Sequence, residues 1–353
     1  MILKELMLSR EFCRTGRPDF LGYLFALWLF SLGGGGAYAQ ICQVRDTLPS
    51  VPVRQVYVIA GQSNAVGLAS VRNYVSGSKD YVQERTVYPN VKIYGIYGAP
   101  AGVAGNDDAE HSVHVNWRSF AGWHMARPGF GYKNFAGVPG EFPRNTRAVD
   151  LFGPEVYFSH FLNSRRPFDH YIVKLAVSNA ALSPHSTRDS WSHDGRLFNQ
   201  LLAMIADAYN SKRTEVRLRV AGLFFMQGET DALDLVSARN YENNLRKFIK
   251  AFRREVVARG CADDRFFPVV LGRIQDNKAW THRKYVRRAQ QKVGRSAKSI
   301  RLVNTDDFSG EMIAGGVHFN EYGQAHLGAR VYRAFFALRP SEERALNDWM
   351  ARR

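Results

Sequence analysis

Three short polar clusters in this chain hold the residue types that acyl-transfer chemistry needs. The sharpest is Gly61-Gln62-Ser63-Asn64, directly after the apolar run Val56–Ala60. A glycine and then a serine at a strand-to-helix turn put a hydroxyl at the edge of a sheet. A helix N-terminus lies behind it and backbone N–H groups face the substrate. Taken alone, Ser63 reads equally as a nucleophile and as the cap of the next helix. The second cluster, Gln227-Gly228-Glu229-Thr230-Asp231, follows the apolar run Val220–Phe225. The Gln227 amide is suited to donate to a developing oxyanion, while Glu229 and Asp231 also read as ordinary acids at a helix start. The third, Gly316-Val317-His318-Phe319-Asn320, precedes the last helical stretch. It gives His318, alone among ten histidines, the setting of a general base.

Positioning these clusters requires buried strands that all end on one side. Gln55–Ile59, Tyr171–Val177, Val220–Phe225, Phe267–Leu271 and Ile300–Val303 are apolar on both faces, as parallel strands between helix layers must be. Helical patterns alternate with them over Pro154–Asn163, Arg196–Asn210, Arg239–Arg259, Arg283–Val293 and Glu321–Leu338. Gly153-Pro154-Glu155 places proline in a first helical turn with an acid at the helix's positive end. The alternation predicts a doubly wound α/β domain with five parallel strands. Residues 70–150 break the rhythm: they are rich in Gly, Trp, Tyr, Asn and His, with neither strand nor helix period. An insertion at that point is expected to overhang the carboxyl edge of the sheet, where α/β ligands bind, with Trp117 and Trp123 offering sugar-binding surface.

Together, G-Q-S-N, the G-P-E helix start, Q-G-E-T-D and V-H-F-N, in that order, resemble the SGNH hydrolases. Within them the chain is similar to the sialate O-acetylesterase and acetylxylan esterase branch of carbohydrate esterases, from about Arg54 to Leu338. The resemblance implies a three-layer α/β/α sandwich (SGNH/flavodoxin-like) with a five-stranded parallel sheet. It implies Ser63 as nucleophile and His318 as general base. The oxyanion hole would be formed by the backbone N–H of Ser63, a backbone N–H near Ser178 and the Gln227 side chain. Gln62, Asn64, Glu229, Asn179 and Trp117 are expected to bind substrate or support the site. Neither a metal nor a cofactor is called for.

Two departures from that pattern matter. The family's Gly-Gly after the second parallel strand is Ser178-Asn179 here, which keeps a backbone N–H provided the local φ does not demand glycine. The family's Asp three residues before the catalytic His is Gly315. Loss of such an acid costs serine triads about 10⁴ in turnover. Ser63 and His318 then work as a dyad, or another group such as Asp307 or Glu311 reaches the imidazole.

The 353 residues carry 48 Lys and Arg against 32 Asp and Glu, a formal charge of +16. Residues 239–301 alone hold 18 basic and 5 acidic side chains. Those charges spread over two amphipathic helices, which favours a solvated face or one turned to anionic glycan or lipid headgroups over nucleic acid. The first 39 residues have a basic start (Lys4, Arg10, Arg14, Arg17), an apolar run Phe20–Leu32 and Ala37-Tyr38-Ala39. This is the layout of a cleaved signal peptide, favoured over a membrane anchor by the short apolar stretch. An exported protein, periplasmic or secreted, is expected. A linker over 40–53, the esterase domain over 54–340 and a helical tail over 341–353 complete the organisation. Cys42 and Cys261 remain after cleavage and are able to pair if the fold brings them together. His111 and His114, three apart, offer a possible metal pair, but no helical pattern holds them and no acid is fixed beside them. The expected activity is removal of O-acetyl groups from a carbohydrate through an acetyl-Ser intermediate. A weakened glycan-binding relative and a carbohydrate O-acetyltransferase are the alternatives.

Overall fold

In the computed structural model, seven strands form one sheet in the order β4-β3-β6-β1-β7-β8-β9. They are β1 (Val53–Gly61), β3 (Tyr88–Ile96), β4 (Ala121–Ala126), β6 (His170–Ala176), β7 (Arg217–Met226), β8 (Val269–Gly272) and β9 (Ile300–Val303). All neighbours run parallel except β3 and β4. A separate antiparallel pair joins β2 (Ala69–Ser70) to β5 (Leu151–Phe152). The structure describes residues 42, 51–73, 86–97, 121–131, 150–165, 169–185, 189–213, 215–308, 310–313 and 316–338. All of them belong to the compact unit Ile41–Arg353. The expected signal peptide and C-terminal tail, most of the linker, and His111, His114, Trp117 and Gly315 lie outside the described residues.

The helices are α1 (Ser63–Val66), α2 (Pro154–Arg165), α3 (Arg196–Asn210), α4 (Leu235–Ala258), α5 (Arg283–Gly294) and α6 (Glu321–Ala337). They cover the two faces of the sheet, and the strand period sorts the core between them. Val56, Val58 and Ala60 of β1 join Phe198, Leu201, Phe248 and Val286 from α3, α4 and α5. Tyr57 and Ile59 join Phe158 and Leu162 of α2 and Leu327, Val331 and Phe335 of α6. A strand apolar on both faces is therefore buried on both, as in other α/β sheets.

The five parallel strands read from the sequence all form, with β8 starting two residues later and ending one residue later than expected. Helix α4 starts four residues early, where the Asp234 side chain accepts the Ser237 N–H at 2.7 Å and caps it. The count of five strands is corrected to seven, because part of the insertion is regular. In β3, Val91 and Ile93 are buried beside a less buried Lys92, but Pro89 and Gly95 interrupt the alternation. Strand β4 contains Gly122 and His124, poor strand formers that a partner strand holds in place.

The overhang expected of Trp123 is also corrected. It lies on β4, the outermost strand and three strands from β1. Its ring packs edge-on against Tyr94 and Tyr171, and its Nε1 donates to Ser211 Oγ at 2.9 Å. Cys42 and Cys261, 219 residues apart, form a disulfide. Among the described residues no helix is long and apolar enough to cross a membrane.

Candidate active site

Strand β1 is central in the sheet, and the chain fills one flank with β3, β4 and β6 and the other with β7, β8 and β9. The carboxyl end of β1 is thus the point where the winding reverses, the usual ligand crevice of such folds. Gly61 ends the strand there with φ 143°, and a Cβ on it would sit 1.9 Å from the Met226 carbonyl oxygen. Only glycine fits a turn packed that tightly against β7. Ser63 then opens α1 as its first helical residue, while Gln62 occupies the cap position. The cap reading of Ser63 is thereby removed. The serine keeps 7% of its surface exposed.

The residues flanking Ser63 bind the other two clusters. Gln62 Oε1 accepts from the backbone N–H of Gly228 at 3.2 Å and of Thr230 at 3.4 Å, and from Gln227 Nε2 at 3.2 Å. The Asn64 amide pairs with the backbone on both sides of His318. Its Nδ2 donates to Val317 O at 3.3 Å, and its Oδ1 accepts from the Phe319 N–H at 3.0 Å. Asn64 Nδ2 also reaches Glu229 Oε1 at 3.2 Å. Segments 165 to 255 residues distant are fastened around one serine. Asn320, two residues after His318, caps α6 by accepting from the N–H groups of Tyr322 and Gly323.

Packing around the His318 imidazole pushes its pKa down to about 4, so the ring is neutral at pH 7 and able to take a proton. The two acids suggested as partners for it are committed elsewhere. Asp307 pairs with Arg330, and Glu311 pairs with His326. That surrogate role is therefore withdrawn for both.

The expectation for the Gln227 side chain is corrected too. Its Nε2 is shared among Gln62 Oε1 at 3.2 Å, Ala180 O at 3.0 Å and Asp231 Oδ2 at 2.6 Å. An amide has two protons, so both are spent inside the protein. Gln227 braces the site in this arrangement. The Asp231 carboxylate in turn accepts the N–H groups of Leu182 and Ser183, holding the loop after β6.

That loop contains Ser178 and Asn179. Asn179 has φ 58°, the left-handed conformation that glycine adopts freely and asparagine tolerates better than other side chains. The replacement of Gly-Gly by Ser178-Asn179 thus keeps the turn. Glu229 is buried, and desolvation pushes its carboxyl up to about 7, with the nearby Asp231 adding to the rise. Asp231 is itself raised by burial.

Lys174 was not singled out from the sequence. It lies in the middle of β6 and is buried with its three protons on three segments. They go to Val66 O at 2.7 Å, Phe130 O at 2.9 Å and Glu155 Oε2 at 2.6 Å. Burial pushes the ammonium down and Glu155 works against that shift. One cation thus ties the end of α1 to the insertion and to the Gly-Pro-Glu helix start. The signal was present: a lysine inside the apolar run Tyr171-Ile172-Val173-Lys174-Leu175 must be paired. Among the described residues no group of three or more His, Cys, Asp or Glu converges as a metal site.

A mostly parallel α/β/α sandwich with a serine at the turn after its first strand and a histidine before its last helix is the architecture of the SGNH-type hydrolases. The model of one family, described as carbohydrate esterase, sialic acid-specific acetylesterase, matches residues 53–337. The chain belongs to that carbohydrate esterase family. It is 23% identical over 211 residues to the probable carbohydrate esterase At4g34215 of Arabidopsis thaliana. That match covers 58% of this chain and spans 65% of the length of the plant relative. The X-ray structure of the protein from Arabidopsis thaliana AT4G34215 superposes with a TM-score of 0.56 at 16% identity, covering 81% of this chain and 99% of the other. The crystal structure of NanS gives 0.55 at 15% identity, covering 82% and 98%. These likenesses establish the shared fold.

Proposed function

We propose that this protein is an exported serine esterase that removes O-acetyl groups from a carbohydrate through an acetyl-Ser63 intermediate. The observation that carries the reading is the fastening of Ser63 between the Gln227–Asp231 and Val317–Asn320 clusters by Gln62 and Asn64. Ser63 attacks the acetyl carbonyl while neutral His318 takes its proton. The backbone N–H groups of Ser63 and Ser178 receive the oxyanion, since the Gln227 amide is spent on internal partners. His318 returns the proton to the departing sugar oxygen. Water, deprotonated by the same imidazole, then releases acetate. An imidazole held near pKa 4 resists charging at rest, and the negative charge that develops on the oxyanion favours the imidazolium during each transfer. The family supports an acetylated carbohydrate as substrate. The N-terminal sequence and the Cys42–Cys261 bond support export to an oxidising compartment.

The test is hydrolysis of an acetyl-ester reporter and of O-acetylated sialic acid or xylan by wild type, Ser63→Ala and His318→Ala. Loss of about 10³-fold or more in both variants is expected, with acetylated Ser63 found by mass spectrometry in wild type quenched during turnover and absent from Ser63→Ala. Glycan binding without turnover in wild type would replace the enzyme by a binding protein. Release of acetate only when a second sugar is supplied as acceptor would make it a transferase.

A further inference from the structure

The parallel strands place the candidate active site at their carboxyl ends and leave a second built surface at their amino ends. Two clefts of about 340 and 530 Å³ meet there at Ile300, the first residue of β9. The first lies between the C-terminal half of α4 and the segment leading into β8, and carries Lys250 and Arg265. The second, past the end of α5, carries Arg295, Lys298 and Arg301. All five cations are exposed. Phe266, with 67% of its surface in solvent, stands beside the Arg265 guanidinium, which sits 5.5 Å from the ring centre.

Among the described residues no acid forms an ion pair with these five side chains. The five acids of residues 239–301 have other partners. Glu242 takes Arg246 and Lys292, Glu255 takes Arg254 and Arg259, Asp263 takes Arg219, and Asp276 takes Arg283. Asp264 accepts the Phe266 N–H at 2.5 Å and faces Arg253. Arg253 is anchored as structure, donating to Phe267 O at 2.7 Å and Ser299 Oγ at 3.0 Å, and thereby joins the lead-ins to β8 and β9.

From this we infer that the paired clefts are a binding site for a linear anionic polysaccharide, one whose sugars carry carboxylates. Exposed cations lining two adjoining clefts suit a narrow polyanionic strand better than a flat bilayer. An exposed aromatic ring beside them offers an apolar face for the C–H side of a sugar ring. Through the register of β9, β8, β7 and β1, Ile300 stands level with Val58, three residues before Gly61 and three strands across from it, so roughly 15–20 Å separates this edge from the turn that carries Ser63. The polymer held here anchors the protein from the amino side of the sheet, with Ser63 on the carboxyl side, and need not be the chain that is deacetylated.

The site is tested on the full chain by the affinity for oligogalacturonate at low and high salt, read by calorimetry without reference to hydrolysis. Neutral dextran, duplex DNA and phosphatidylglycerol vesicles are the comparison ligands. The expected result is salt-sensitive binding to oligogalacturonate but not dextran, weakened at least tenfold in Lys250→Glu/Arg265→Glu and again in Arg295→Glu/Lys298→Glu. Phe266→Ala is expected to weaken it several-fold with charge unchanged. Binding that ignores both charge reversals, or that dextran matches, overturns the proposal. Tighter binding to the vesicles or to DNA, lost in the same variants, replaces the polysaccharide by a membrane or a nucleic acid. Failure of the esterase test leaves each of these outcomes readable.

Discussion

The two edges of one sheet are built on opposite principles. At the carboxyl edge polar side chains are buried and nearly every donor is assigned. Gln62, Asn64, Gln227, Asp231 and Lys174 spend their hydrogen bonds on other parts of the chain. At the amino edge, cations stand in solvent with their neighbouring acids engaged elsewhere. Buried, fully paired groups fix geometry and are costly to disturb, whereas exposed charges contribute little to stability and act through their field. Substitutions at the two edges should therefore differ in kind as well as size.

The largest effect is expected at Lys174. Replacing it by Met strands the buried Glu155 carboxylate and two carbonyls, and should cost roughly 3–5 kcal/mol in urea unfolding. Lys174→Arg, too large for the three-way contact, should rescue little. Asn64→Ala removes the bonds on both sides of His318 and the one to Glu229. Misplacing the base this way should lower kcat on the order of 10²-fold and leave KM nearly unchanged in the reporter assay.

A smaller effect is expected from pH. The Glu229 carboxyl is raised in the fold, so its contribution is complete below its unfolded value near 4.5 and is lost as pH climbs through about 7. The His318 imidazole is lowered, so its contribution is present above its unfolded value near 6.5 and is lost as pH falls toward 4. Melting temperature followed across pH 4–9 should show both limbs. Glu229→Gln should flatten the alkaline one, and an unchanged slope would refute the assignment. Least of all, Arg295→Glu/Lys298→Glu at the amino edge should move stability by no more than about 0.5 kcal/mol per site, leaving only the salt-dependent binding altered.

What the sequence discloses follows the same division. Strands β1, β6, β7, β8 and β9 were legible because each writes a short apolar run, and the start of α2 was legible from Gly-Pro-Glu. The three polar clusters were legible because each follows a strand or precedes a helix. Strands β3 and β4 were not: β4 is an edge strand that depends on its partner, and Pro89, Gly95 and Gly122 obscure the alternation. How a side chain allots its protons was equally hidden. The amide of Gln227 looks the same in sequence whether it faces substrate or is spent on Ala180 and Asp231. Lys174 joins residues 19, 44 and 108 positions away, a convergence that no local pattern announces.

The bond between Cys42 and Cys261 makes a closed ring of most of the chain, threaded through β1 to β7 and α1 to α4. A protease cutting any loop within that ring, including the long insertion, leaves two fragments that still migrate as one molecule until a reductant is added. Closing a loop of that length also removes freedom from the unfolded chain worth about 5 kcal/mol in the chain-entropy model. The ring cannot be shut until residue 261 has been made, by which time the sequence for Ser63, Gln227 and their braces already exists. The last segment to arrive, carrying β8, β9 and His318, is outside the ring. The histidine thus reaches the serine from outside the covalent ring.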